Sequence, residues 1–114
     1  MILDFWASWC APCRAATECI KEVYKKYNAQ GLEVFSVSLD DNKEAWLKAI
    51  KEDGMTWKQG CQLLKGGKYT PVAQLYGIDG IPAFWVIDPE GKILCQETKG
   101  DQVVAFCEEL FSKK

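Results

Sequence analysis

The apolar positions of the chain change period from segment to segment. Residues 2–6 are an apolar run interrupted only by Asp4 and read as a strand. From residue 11 the period lengthens. Ala16, Cys19, Ile20, Val23 and Tyr27 fall at i, i+3, i+4, i+7 and i+11, one stripe of a helix reaching about residue 29, while Lys21, Glu22, Lys25 and Lys26 turn to water. Gly31 supplies a terminator. Residues 32–39 are partly alternating and β-branched and read as a buried parallel strand, which closes a right-handed βαβ unit with the first strand and helix. A cap-like stretch at 41–44 opens a second helix carrying Ala45, Trp46, Leu47, Ala49 and Ile50 and stopping near Gly54.

Between residues 55 and 69 the pattern breaks down, and Gly60, Gly66, Gly67 and three lysines predict a loop with at most a short strand. Thr70 and Pro71 have the form of an N-cap and first helical position, opening a short helix to Tyr76 that Gly77 ends. Residues 83–87 form the next strand, 88–91 a turn and 92–97 its antiparallel partner. Asp101 then caps a last helix whose Val103, Cys107, Leu110 and Phe111 share a face. This order predicts an α/β fold, with a central mixed four-stranded sheet flanked by helices on both faces. No internal repeat or linker divides residues 1–114, so a single domain is expected.

Composition narrows the functions. With 48% hydrophobic and 12% aromatic residues the chain can build a core, so its six cysteines are not needed as a disulfide scaffold. A formal charge of −2 with both signs scattered argues against a nucleic-acid surface or an electrostatically held membrane helix. The apolar runs are only a few residues long, too short to span a bilayer. With no histidine, Cys-His zinc patterns and Cys-His proteolytic dyads are excluded.

The chemistry lies in Cys10 and Cys13, spaced C-x-x-C directly after the first strand. A helix starting at Cys10 sets Cys13 one turn inside, where the two sulfurs can be bonded or free with little backbone movement. Free N–H groups and the positive helix pole would stabilise a thiolate at the exposed helix start, making Cys10 the attacking sulfur. Pro12 is tolerated in a first turn. The competing readings are two buried core cysteines or a zinc half-site, although no second ligand pair of that spacing exists.

The stretch I-L-D-F-W-A-S-W-C-A-P-C-R strongly resembles the active-site segment of the thioredoxin superfamily, in the form common among its TlpA/ResA-like thiol-disulfide oxidoreductases. G-I-D-G-I-P-A-F-W-V-I-D-P-E-G-K-I is similar to the second signature of that family, and the segment before it resembles the insertion that sets TlpA-like members apart. The resemblance implies a redox-active disulfide between Cys10 and Cys13 with no bound cofactor. Its partners would be protein thiols and disulfides and an upstream electron donor, the chain acting as a monomeric reductant. Asp4, in an apolar strand where an unpaired carboxylate is costly, corresponds by resemblance to a buried acid that takes the proton of Cys13. A solvent-facing aspartate at a strand end is the alternative. Pro82 matches the family's cis-proline, and the backbone of Ile81 would pair with an extended substrate segment. Trp9 would be a partly exposed platform beside the sulfur, with Trp6 and Trp85 in the core.

One departure stands out. Relatives often carry an acid three positions after the second cysteine and a proline two further on, where this chain has Ala16 and Glu18. Cys19, Cys95 and Cys107 read as small buried hydrophobes, and Cys61 as either a reactive thiol or a buried one. Relatives also carry residues upstream of the catalytic strand, so the chain is expected to be a domain of a longer protein. By resemblance it is extracytoplasmic and bacterial; without a signal in this chain, the cytoplasm stays open. Two other functions share the fold: a peroxiredoxin-like thiol peroxidase, whose P-x-x-x-T-x-x-C pattern is missing because Ala7 and Leu3 occupy its positions, and a redox-inactive binding module.

Overall fold

The computed structural model describes residues 1–61, 63 and 80–112. In chain order its elements are β1 (Ile2–Trp6), α1 (Ala11–Tyr27), β2 (Val34–Ser38), α2 (Lys43–Asp53), β3 (Lys58–Cys61), β4 (Ala83–Ile87), β5 (Ile93–Glu97) and α3 (Gly100–Ser112). The strands form one sheet in the order β3-β2-β1-β4-β5, parallel across β3, β2 and β1 and antiparallel across β1, β4 and β5. The sheet thus has five strands where the sequence predicts four. The additional one, β3, lies in the segment read as a loop with at most a short strand. Its K-Q-G-C sequence has no alternation and includes a glycine, so only pairing with β2 makes it a strand.

Every residue of β1 is buried, as its apolar run implies. Asp4 is opposite Ser36 on β2 and Phe84 on β4, and Leu3 is opposite Trp85. The faces alternate accordingly: Phe5 meets Trp85 edge-on at 5.5 Å, while Asp4 and Trp6 share the other face. The crossovers β1-α1-β2 and β2-α2-β3 advance in one direction across the sheet, so right-handedness places α1 and α2 on the same face. Along α1, Ala16, Ile20, Val23 and Tyr27 are buried and Cys19 is half-buried. Burying side chains of the size of Ile20 and Val23 contributes about 1.5–3 kcal/mol each. Tyr24 packs on Trp57 at 5.3 Å and Tyr27 stacks on Phe111 of α3 at 5.1 Å. The short helix expected at 70–76 lies outside the described residues.

Element ends follow local chemistry with small shifts. Gly31 (φ 106°) closes the turn after α1 and Gly54 (φ 64°) closes α2, both in the left-handed region that favours glycine. Asn42 is the cap of α2, its Oδ1 accepting the Ala45 N–H at 3.0 Å. Of the apolar stripe read in α2, Ala49 is buried, Trp46 and Ile50 are half-buried against the core, and Leu47 is 47% exposed. The last helix starts at Gly100, which places Asp101 in its first turn and not at the cap.

Candidate active site

β1 ends at Trp6, and the chain turns through Ala7, Ser8 and Trp9 into α1, with the Cys10 N–H bonded to the Ala7 carbonyl at 3.1 Å. Cys10 has the extended conformation of an N-cap (φ −98°, ψ 99°). Its sulfur takes the place of the usual capping oxygen, accepting the Cys13 N–H at 3.3 Å. A negative charge on that sulfur would strengthen the bond and meet the positive end of the 17-residue α1. Cys10 and Cys13 are joined as a disulfide with Cα atoms 5.3 Å apart. The Thr17 hydroxyl donates to the Cys13 carbonyl at 3.1 Å and steadies the turn below it.

Cys10 does not stand on an open helix start, as the sequence suggests. It is 7% exposed and Cys13 2%, so both are in the core and only the edge of Cys10 is reachable. That edge opens into a groove of about 530 Å³ lined by Trp9, Pro12, Leu39 and Ile81. Trp9 is 66% exposed, whereas Trp6 and Trp85 are buried. The Ile81–Pro82 peptide is cis, and the Ile81 carbonyl oxygen is 3.8 Å from the Cys10 sulfur. Pro82 lines a second depression together with Pro12, Ala16 and Cys19. Trp9, Pro12 and Ile81 therefore meet at one mouth, with Pro82 just behind it.

Asp4 is 3% exposed, so it is no solvent-facing strand-end aspartate. The Ser36 hydroxyl donates to its Oδ2 at 2.7 Å, and Trp57 Nε1–H donates to the Ser36 oxygen at 2.8 Å. Burial pushes the Asp4 carboxyl up to about 7, with the Ser36 hydrogen bond pulling partly the other way. A carboxyl with that value near neutral pH can both give and take a proton.

Two polar groups escaped the sequence reading. Asp40, just after β2, is 2% exposed and accepts from Ser8 and Ser38. Asp40 follows its apolar run and does not interrupt it as Asp4 does, so the pattern alone does not set it apart from a loop aspartate. Arg14 closes a two-point pair on Asp53, Nε and Nη2 each at 2.9 Å from a carboxylate oxygen. Asp53 holds the guanidinium above its usual range, and the pair ties the start of α1 to the end of α2. Among the remaining thiols Cys19, Cys61 and Cys95 are half-buried and Cys107 is buried.

The fold and the bonded C-x-x-C pair define a thioredoxin-like protein. A sequence model of the thioredoxin-like family matches residues 1–93, and the chain belongs to that family. It is 30% identical over 113 residues to thiol-disulfide oxidoreductase ResA of Bacillus thuringiensis, covering 99% of this chain and 62% of that protein. The chain thus spans 62% of the length of this curated relative. A thiol-disulfide oxidoreductase from Bacteroides fragilis superposes with a TM-score of 0.84 at 34% identity, over 96% of this chain and 79% of that one. The thioredoxin domain of a thiol-disulfide oxidoreductase from Bacteroides vulgatus does so with a TM-score of 0.85 at 34% identity, over 96% and 76%. Among the described residues, no helix is long and apolar enough to cross a membrane.

Proposed function

We propose that the chain is the redox domain of a thiol-disulfide oxidoreductase that reduces protein disulfides. The observation that carries this reading is the sulfur of Cys10, capping α1 at the floor of an open groove and bonded to Cys13 one turn deeper. In the reduced form the Cys10 thiolate attacks a substrate disulfide, forming a mixed disulfide and releasing one substrate thiolate, which takes up a proton. Cys13 then gives its proton to Asp4 and attacks the Cys10 sulfur, expelling the second substrate thiolate. The substrate gains two electrons and the domain is left with the Cys10–Cys13 bond. A donor dithiol reverses that change, so the pair itself is the electron carrier and no bound cofactor is required. Trp9, Pro12, Ile81 and Pro82 form the surface on which an extended segment beside the substrate disulfide would lie, with the Ile81 backbone pairing as an added strand.

The likeness to ResA and to Bacteroides oxidoreductases favours a reductant, and we place it outside the cytoplasm of a bacterium within a longer chain. Insulin reduction in the presence of dithiothreitol tests turnover. Cys10→Ser should abolish it, and reduced Cys13→Ser, freed of dithiothreitol before insulin is added, should stall as a covalent adduct on Cys10, visible by mass spectrometry. A Cys13→Ser protein that reduces insulin as well as the wild type, with no adduct, defeats the scheme. Equilibration against glutathione buffers tests direction: a reductant should fall nearer about −270 mV than about −120 mV, the values of thioredoxin and of the oxidant DsbA.

A further inference from the structure

Ser8 stands in the turn between β1 and Cys10, and it is anchored to a single side chain. Its N–H points at both oxygens of Asp40, 3.2 and 3.1 Å away, and its hydroxyl donates to Oδ1 at 2.6 Å. The Ser38 hydroxyl donates to the other oxygen at 2.5 Å and itself accepts the Asp40 N–H at 2.9 Å. The backbone around Asp40 is fixed as well. Leu39 N–H extends the β1–β2 ladder to the Trp6 carbonyl at 2.8 Å, and the Cys61 thiol on β3 donates to the Asp40 carbonyl at 3.2 Å. Asp40 is 2% exposed, and each side-chain partner it has among the described residues donates. An amide nitrogen in place of either oxygen would face a donor.

Nothing in the exchange chemistry requires this carboxylate, yet it grips the residue two before the attacking sulfur. The turn from Ala7 to Cys10 is otherwise closed by the one bond from Cys10 N–H to the Ala7 carbonyl. We propose that Asp40 is a positioning residue for disulfide exchange: by fixing Ser8 it holds Cys10 in its capping conformation and Trp9 in place along the groove. The consequence for turnover rests on the oxidoreductase reading above, whereas the consequence for Cys10 itself does not. Displacement of a reacting group by about 1 Å can cost on the order of 100-fold in rate. Loosening one turn should cost about 10-fold.

The test uses Asp40→Asn and Ser8→Ala, each in the Cys13→Ser background so that Cys10 is read alone. The pH profile of Cys10 alkylation, its rate of attack on a small aromatic disulfide and thermal unfolding are measured together. Asp40→Asn should raise the apparent pKa of Cys10, because the thiolate loses its ordered N–H donor, and slow the attack about 10-fold. Ser8→Ala keeps the N–H bonds and loses the hydroxyl bond, so it should shift both in the same direction by less. A lower melting temperature with pKa and rate unchanged would assign Asp40 a structural role only and overturn the proposal. A fall in the Cys10 pKa would also overturn it, since removal of a nearby charge, and not loss of position, would then dominate. Should Asp40→Asn fail to fold, Ser8→Ala decides alone, and an unshifted Cys10 counts against. Failure of the wild type to reduce insulin would defeat the proposed function, while the Cys10 profile would still report on Asp40.

Discussion

Asp4 is buried beneath the sheet surface with one hydroxyl donor, Ser36, and its carboxyl is pushed up to about 7. An acid whose folded pKa lies above its unfolded value binds more protons in the native state, so stability is fully retained below about pH 4 and declines as pH rises toward 7. Three pKa units correspond to about 4 kcal/mol, an upper figure for one desolvated carboxylate. Asp4→Asn keeps an acceptor for Ser36 and removes the charge. The variant should be more stable than the wild type above pH 7 by up to about 4 kcal/mol, and equal to it near pH 4. On the proposed exchange scheme, in which Cys13 hands its proton to Asp4, it should also resolve mixed disulfides more slowly. Urea unfolding at pH 4, 6 and 8 measures the first effect and stopped-flow release of substrate thiol the second; parallel stability curves for the two proteins would remove the buried acid from the account. Asp4 was legible because a lone carboxylate inside an apolar run has no cheap explanation. Asp40 was not, because it follows its run and precedes Asp41 and Asn42, where a water-facing loop is the natural expectation.

α1 and α3 meet where Gly100 lies over Ala16. A Cβ on Gly100 would stand 3.0 Å from the Ala16 Cβ and 3.2 Å from its Cα and carbonyl oxygen, so the obstacle is largely backbone and cannot swing aside. Gly100→Ala should therefore cost about 1–3 kcal/mol, as overpacking does, and disturb the turn of α1 after Cys13. Gly91 has nothing within 4 Å of a built Cβ, and only its φ of 86° opposes a side chain. Gly91→Ala should cost about 1 kcal/mol and leave exchange rates unchanged. Thermal unfolding with insulin reduction separates the two, and equal effects on activity would show that the α1–α3 contact does not reach the site. The same contact gives a physical setting for the departure at position 16: alanine there lets the Gly100 backbone close in. Ala16 and its stripe were readable from period alone, as was β1, because burial on one or both faces imposes a pattern on the sequence. β3 was not readable, since an edge strand of K-Q-G-C draws its order from the ladder of β2 and not from its own side chains.

Across the whole molecule, six cysteines share one fold, and on the proposed exchange chemistry the four outside the Cys10–Cys13 pair need protection from pairing at random. The fold provides it unevenly. Cys107 is fully buried on α3 and its thiol is pushed up to about 11, first by burial and then by Cys95. Cys95 on β5 is half-buried and also raised, by burial and then by Glu97. At pH 8 a thiol of pKa about 11 is ionised in about one molecule in a thousand, and burial removes even that fraction from reagent. Labelling of the reduced native protein with iodoacetamide at pH 8, mapped by peptide mass, should modify Cys10 first and Cys95 slowly. Cys107 should react only through openings that expose the core, so its labelling should accelerate with urea in step with global unfolding. Raising the pH from 8 to 9 should speed Cys95 several-fold, because a thiol held above its ordinary value is still mostly protonated over that step while its exposure stays the same. Cys107 should gain comparatively little wherever opening itself limits the rate, since a thiol released by opening titrates as an ordinary one. Native labelling of Cys107 at the pace of Cys95 would mean that α3 leaves the sheet far more often than its packing on Tyr27 through Phe111 allows.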